Sequence, residues 1–465
     1  MRFKRFFFPV LFLALLAARL CHLQILWAEE TLPMATALEV LQGKNIYRDV
    51  WFDKPPLLPA AYLPIGAYPD WPVRVAGALY ALLACWIAYR FACELWSPAE
   101  GFWASALLGF FLIFDLPSAV IPVASDLLMI APHLAAVWLA WKRRPFWSGT
   151  LAALALWISP KGVFVLAACA LWNPAGLPLI ALGFAATSAT AVVWLWAAGA
   201  LPGYWEEVWK WGTLYAGAPL TATPLRSGIL RTADWAGFHI AAVIGAGWFL
   251  ARSKNGSRWR WLGWCALAFI GVITGLRFFP RYYFLLLAPV VLMAARGFTL
   301  LGRKRDLAVI LLLIPATRFL PRYVWLAAGN TEWADTLMDR DSRQASALTR
   351  AMAHPGDTLF VWGYRPEIYV YTRLPAGTRF LDSQPLTSVP ADRHLYDATP
   401  LETEAASQRR AELALTHSTF VIDGLSRYNP RLALTRYPDL RAWMAQYREV
   451  GRTAETVIYR LRTAP

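Results

Sequence analysis

Charge is scarce in this chain: only 16% of its 465 residues are Asp, Glu, Lys or Arg, where a soluble protein carries about 25%. Set beside a hydrophobic share of 58%, that shortage excludes an ordinary soluble enzyme and implies a polytopic membrane protein. Cysteine is sparse too. Cys21, Cys85, Cys93, Cys169 and Cys265 lie in or beside apolar runs and the C-terminal part has none, which argues against a disulfide framework or a thiolate metal site. The histidines are scattered, so the sequence requires no cofactor and gives a divalent metal no support. A Walker loop, a dinucleotide fingerprint, a low-complexity tract and an internal repeat are all missing. Acidic residues are outnumbered, 30 to 45, for a net charge of +15. Much of the basic excess sits in short loops between apolar runs, which points to cytoplasmic retention and anionic lipid rather than to nucleic acid.

A spanning helix needs about 20 mostly apolar residues. The candidate spans are 6–27, 72–93, 101–116, 124–142, 147–158, 161–173, 176–200, 236–252, 260–278, 282–301 and 306–328. The short pair 147–158 and 161–173, divided by Ser159-Pro160-Lys161-Gly162, reads as two helices or one broken one. Four basic clusters read as cytoplasmic: Arg2, Lys4 and Arg5; Lys142, Arg143 and Arg144; Lys254, Arg258 and Arg260; and Arg303, Lys304 and Arg305. All four fall inside only if the chain crosses three times between Arg144 and the Trp-rich 201–235 loop. That favours two short helices around Lys161 and about eleven crossings in total. The first span is basic at its start and lacks a small-residue cleavage site, so it reads as a retained signal anchor.

The expected architecture is an α-helical integral membrane protein with a small C-terminal α/β extracytoplasmic domain. Residues 1–329 form the membrane part, with an external first loop at 28–71, and residues 330–465 the soluble part. In the latter, Asp357–Gly363 reads as a buried strand, Arg365–Thr372 as a helix, Thr419–Gly424 as a second strand and Val457–Leu461 as a terminal one.

The candidate chemistry concentrates in the first loop. Glu29 and Glu30 are adjacent carboxylates just after the first span, read either as solvated groups at a helix end or as a general base at the bilayer surface. The rest of the loop favours the base. Met34–Gln42 reads as an amphipathic segment in the outer interface. Arg48-Asp49 and Asp53-Lys54 are either a cationic clamp for phosphate or local ion pairs, and Pro55-Pro56 stiffens the return to the bilayer. Asp126 is a helix N-cap or a cavity-lining acid, and Lys161 faces an anionic ligand or snorkels. Arg277 and Arg281 on the external side run against the positive-inside rule, which favours an anionic headgroup. Trp205, Glu206, Glu207, Trp209 and Trp211 read as an aromatic belt with solvated glutamates.

With these residues in place the chain resembles the polyprenyl-phosphate-sugar-dependent glycosyltransferases of the GT-C class, and most the protein O-mannosyltransferase and aminoarabinose transferase branch (glycosyltransferase family 39 and bacterial relatives). Glu29-Glu30-Thr31, Tyr47-Arg48-Asp49, Asp53-Lys54-Pro55-Pro56, Asp126, Lys161 and the Arg277–Tyr282 loop carry the likeness. One departure stands out: the family commonly has Asp as its first acid, where this chain has Glu29. The resemblance implies a cytoplasmic (inner) membrane enzyme with its active site outside, transferring a sugar with inversion from a polyprenyl-phosphate donor to an acceptor hydroxyl on a lipid, glycan or protein. Glu29 or Glu30 would be the base. Arg48, Asp49, Asp53, Lys54, Asp126, Lys161, Arg277, Arg281 and Tyr282 would bind donor phosphate or acceptor. The rival reading is a transporter or flippase of a lipid-linked anion, which places charges near mid-bilayer in both halves.

Overall fold

The computed structural model describes residues 3–217, 221–253, 255–390 and 403–462, so Arg2 and Lys254 of the basic clusters lie outside the described residues. Apolar runs form helices, and proline repeatedly marks where they begin. Pro72, Pro98, Pro145 and Pro224 occupy first turns, where a missing N–H costs nothing. The main helices are α1 (Phe3–Leu20), α2 (Ala28–Leu41), α3 (Trp71–Leu95), α4 (Pro98–Phe111), α5 (Ser125–Trp141), α6 (Pro145–Ile158), α7 (Gly162–Trp172) and α8 (Leu177–Ala197). They continue with α9 (Pro224–Phe238), α10 (Ile240–Arg252), α11 (Asn255–Ile273), α12 (Phe284–Leu301), α13 (Leu313–Ala327) and α14 (Ala334–Met352).

Among the described residues, three helical stretches are long and apolar enough to cross a membrane unaided: Trp71–Leu95, Pro174–Ala197 and Pro280–Ala327. α9 and α10 qualify only as a pair bent by 88°, and α5, α6, α7 and residues 6–20 of α1 are shorter apolar helices. The expected count of about eleven crossings is therefore not confirmed, because many apolar segments fall short of the roughly 20 residues a straight span needs. Around Lys161 the chain does make two helices, α6 and α7. A Cβ on Gly162 would collide with the Leu156 backbone, so glycine permits this tight turn.

After α14 comes a four-stranded sheet of β1 (Leu359–Trp362), β2 (Phe420–Asp423), β3 (Tyr447–Arg452) and β4 (Val457–Leu461) in the order β1-β2-β4-β3. β1 and β2 pair in parallel, Leu359 opposite Phe420, and every residue of both is buried, the apolar ones as their composition requires and Asp423 held by the Leu425 and Ser426 N–H groups. β4 is antiparallel to both of its neighbours. β3 escapes the sequence reading because Arg448, Glu449 and Arg452 interrupt its apolar pattern; charges of this kind belong on an edge strand, which it is. The helix after β1 is α15 (Glu367–Thr372).

The first loop differs from expectation. Met34–Gln42 is no interfacial segment: α2 begins at Ala28, contains both glutamates, and is buried from Glu30 to Glu39. The C-terminal segment covers it. Leu32, Met34 and Leu38 share one apolar core with Leu359, Val361, Ile368 and Tyr369, and the Ala376 N–H donates to Glu39 Oε1 at 3.0 Å.

Glu30 fixes where α2 starts. Arg74 on α3 donates through Nη1 to its Oε2 at 3.0 Å and through Nη2 to its Oε1 at 2.7 Å, with both side chains fully buried. The Val123 N–H donates to Oε2 at 3.2 Å. Arg74 also reaches the carbonyls of His22 and Ile25. The α1–α2 connector, α3 and the approach to α5 thus meet on one ion pair. Removing one partner of a buried pair strands the other charge, at a cost of about 3–5 kcal/mol. Arg74→Met should destabilise the detergent-purified protein by an amount on that scale, read from its unfolding curve. A loss of about 1 kcal/mol or less, the size of a surface pair, would contradict this role.

Candidate active site

Glu29 lies in the first turn of α2, where the helix N-terminus favours a carboxylate. It pairs directly with Arg281 Nη1. Arg281 Nε lies 3.6 Å from Asp126 Oδ2, and Lys161 Nζ lies 3.6 Å from Asp126 Oδ1. The result is an alternating row, Glu29, Arg281, Asp126, Lys161. Asp126 is nearly closed off at 5% exposure, while Glu29 and Arg281 keep 20% and 21%. Lys161 Nζ sits 2.9 Å from the centroid of the Tyr282 ring, a cation–π contact. It has no hydrogen-bond partner among the described residues, although an ammonium carries three donors.

Backbone geometry sets this row. Glu29, Asp126 and Arg281 stand at or just before helix starts, and Lys161 between two short helices, so each side chain projects from an end rather than a middle. Arg281 and Tyr282 lie in the short 3-10 turn Pro280–Tyr283. The chain reaches that turn through Gly275, Leu276 and Phe278, all at positive φ. For Leu and Phe that conformation is strained, and such strain persists where surrounding structure enforces it.

The other candidates lie elsewhere. Glu30 is engaged by Arg74 and main-chain N–H groups, which separates it from its neighbour. Arg277 is buried, with its guanidinium carbon 3.7 Å from the centroid of the Tyr215 ring, and it donates to the Tyr215 carbonyl. Arg48 spans both oxygens of Asp49, which also accepts from the Asn45 N–H at 2.8 Å. These two residues close a local turn. Asp53 and Lys54 pair at 3.4 Å, and the Tyr47 hydroxyl donates to the Lys54 carbonyl at 2.6 Å.

Three features escaped the sequence reading. Arg74 was legible as a lone charge in the apolar first half of α3, a position that demands a partner. Tyr364, just past β1, donates to the Ala28 carbonyl at 3.3 Å. Burial raises its phenol pKa well above the usual value; Asp53, Asp382 and Glu29 push it further and Arg281 opposes them. Tyr364 thus senses both the Glu29 row and the Asp53 region. Glu207 is not solvated, as expected of it, but buried in a π-helical stretch, Trp205–Lys210. It pairs with Arg379 and accepts from the Phe52 N–H at 2.8 Å, and burial pushes its pKa up to about 8. Of the two glutamates only Glu206 is exposed, paired with Lys210. Among the described residues no three His, Cys, Asp or Glu side chains converge as a metal-binding group.

No family model matches the chain, and no curated protein matches its sequence. Solved structures do match. ArnT from Cupriavidus metallidurans bound to undecaprenyl phosphate superposes with a TM-score of 0.58 at 13% identity, covering 97% of each chain. The same protein in its apo state gives 0.55 at 15% identity, again over 97% of each. The apo oligosaccharyltransferase of Archaeoglobus fulgidus gives 0.50 at 14% identity, covering 91% of this chain and 70% of that one. These likenesses establish the architecture: the chain has the GT-C membrane fold, a helical bundle carrying a small C-terminal sheet.

Proposed function

We propose that this protein is an integral-membrane glycosyltransferase, moving a sugar from a polyprenyl-phosphate donor to an acceptor hydroxyl with inversion. The observation that carries the reading is the row Glu29, Arg281, Asp126, Lys161, set on a fold shared with a protein solved with undecaprenyl phosphate bound. Glu29 takes the acceptor proton as the acceptor oxygen attacks the anomeric carbon. The bond from that carbon to the phosphate oxygen breaks on the opposite face, and the electron pair leaves with the phosphate. Arg281 and Lys161 stabilise the departing charge; Arg281 offers a planar fork and Lys161 a point charge with unused donors. Asp126 holds the two cations apart and in place. A phosphate also competes for Arg281, which releases Glu29 from its present pair as the acceptor arrives. Lys54 lies on the side of Asp53 and Tyr364 and would contact the donor from there.

A transporter fits less well, since the charges gather at helix ends rather than in helix middles of both halves. The same helices support an external site. α5 starts beside Asp126 and ends at Lys142, Arg143 and Arg144; α12 starts just after Arg281 and ends at Arg303, Lys304 and Arg305. If the basic ends face the cytoplasm, the site and the C-terminal segment that shares its core face outward, across the inner membrane.

Two measurements test this reading. Glu29→Gln keeps the shape but cannot accept the proton, so single-turnover transfer should fall by roughly 10²- to 10⁴-fold while donor binding persists. Near-normal turnover would remove Glu29 as the base. Separately, a cysteine replacing the exposed Ser407 should react with an impermeant thiol reagent on intact cells. Labelling only after lysis would place the C-terminal segment, and the site with it, in the cytoplasm.

A further inference from the structure

A cleft of about 670 Å³ lies apart from the Glu29 row, between the start of α3 and the helices α14 and α15. Among the described residues three arginines line it, Arg343, Arg350 and Arg373, against one lining carboxylate, Asp70; Arg343 holds both Asp70 and the buried Asp339 at 2.7 Å. Arg373 is fixed by the carbonyls of Ala67 and Gly66, at 2.9 and 3.1 Å, and lies over the Tyr68 ring. Arg350 is exposed and its guanidinium has no hydrogen-bond or ion-pair partner among the described residues. The cleft therefore presents net positive charge on a partly rigid frame, with one guanidinium uncommitted.

Tyr68 and Trp71 stand at its mouth with 55% and 64% of their surface exposed. They precede and open α3, one of the helices long and apolar enough to span a bilayer. Aromatic side chains at the start of a span sit at the level of lipid headgroups. At that depth the anion met most often is a lipid phosphate, and arginine binds phosphate as a two-pronged donor. We propose that this cleft binds the phosphate headgroup of an anionic phospholipid of the surrounding bilayer, with Arg350 and Arg373 on the phosphate and Trp71 and Tyr68 against the glycerol and upper acyl chains. A small soluble phosphate would share the arginines but leave the two aromatic rings unused.

The test uses the full chain purified in detergent and titrated with short-chain phosphatidylglycerol or phosphatidylcholine, with bound lipid read by native mass spectrometry. Phosphatidylglycerol should bind at least about tenfold more tightly, and Arg350→Glu should remove about tenfold of that preference, the size of a lost charge-assisted hydrogen bond. Arg350→Lys should keep most of it. Glycerol phosphate at equal concentration should not displace the lipid. Equal binding of the two lipids, an unchanged preference in Arg350→Glu with its thermal midpoint intact, or displacement by glycerol phosphate would each overturn the proposal. None of these results depends on whether the protein transfers sugars.

Discussion

The buried pair between Arg74 and Glu30 is the constraint on which the rest of the site depends. Two charges removed from water are expensive, of order 20 kcal/mol each in the idealised limit, and they persist only with close partners and full hydrogen bonding. Here the partners come from three separate segments. Arg74 belongs to α3, Glu30 to α2, and the Val123 N–H and the carbonyls of His22 and Ile25 to connecting turns. Each of those turns leads to a site residue: Ile25 is four residues before Glu29, and Val123 three before Asp126. Satisfying one ion pair thereby positions two carboxylates of the row.

The row itself alternates in sign and has no spare anion. Arg281 lies between Glu29 and Asp126, and Lys161 leans on Asp126 and the Tyr282 ring. Such an arrangement balances its own charges, and on the proposed reading its two cations, each 3.6 Å from Asp126, are the donors for a phosphate. The C-terminal segment closes the other side. Tyr364 reaches the α2 start, and Arg379 with Glu207 clamps the first loop at Phe52. Sequence order places these groups far apart; the shared apolar core brings them together.

Much of this was readable from the chain alone, and what was not has physical causes. The apolar runs gave most helices within a few residues, since helix formation there follows local composition, and the buried strands β1 and β2 announced themselves as short apolar runs, Asp423 excepted. The motif residues Glu29, Asp126, Lys161, Arg281 and Tyr282 do converge. Partners did not show. Nothing local to Glu30 names Arg74, 44 residues on, and nothing near Ala28 names Tyr364, 336 residues away. For the same reason the sequence left Arg48 and Asp49 open between a clamp and a local ion pair, and in the structure they pair locally; Met34–Gln42 looked interfacial when another segment covers it, and Glu207 looked solvated when it is buried beside Arg379. The number of crossings is not confirmed, because apolar composition marks a helix without fixing its length.

The chemistry proposed for this site is a single displacement at an anomeric carbon, with Glu29 as base and phosphate as leaving group. The most direct measurement is the anomeric configuration of the product, read by NMR after the purified protein is incubated with a polyprenyl-phosphate sugar of known configuration and a hydroxyl acceptor. Transfer should proceed with the configuration inverted and one polyprenyl phosphate released for each sugar moved. Retained configuration, or movement of the intact lipid-linked sugar across a vesicle membrane with no transfer, would contradict it.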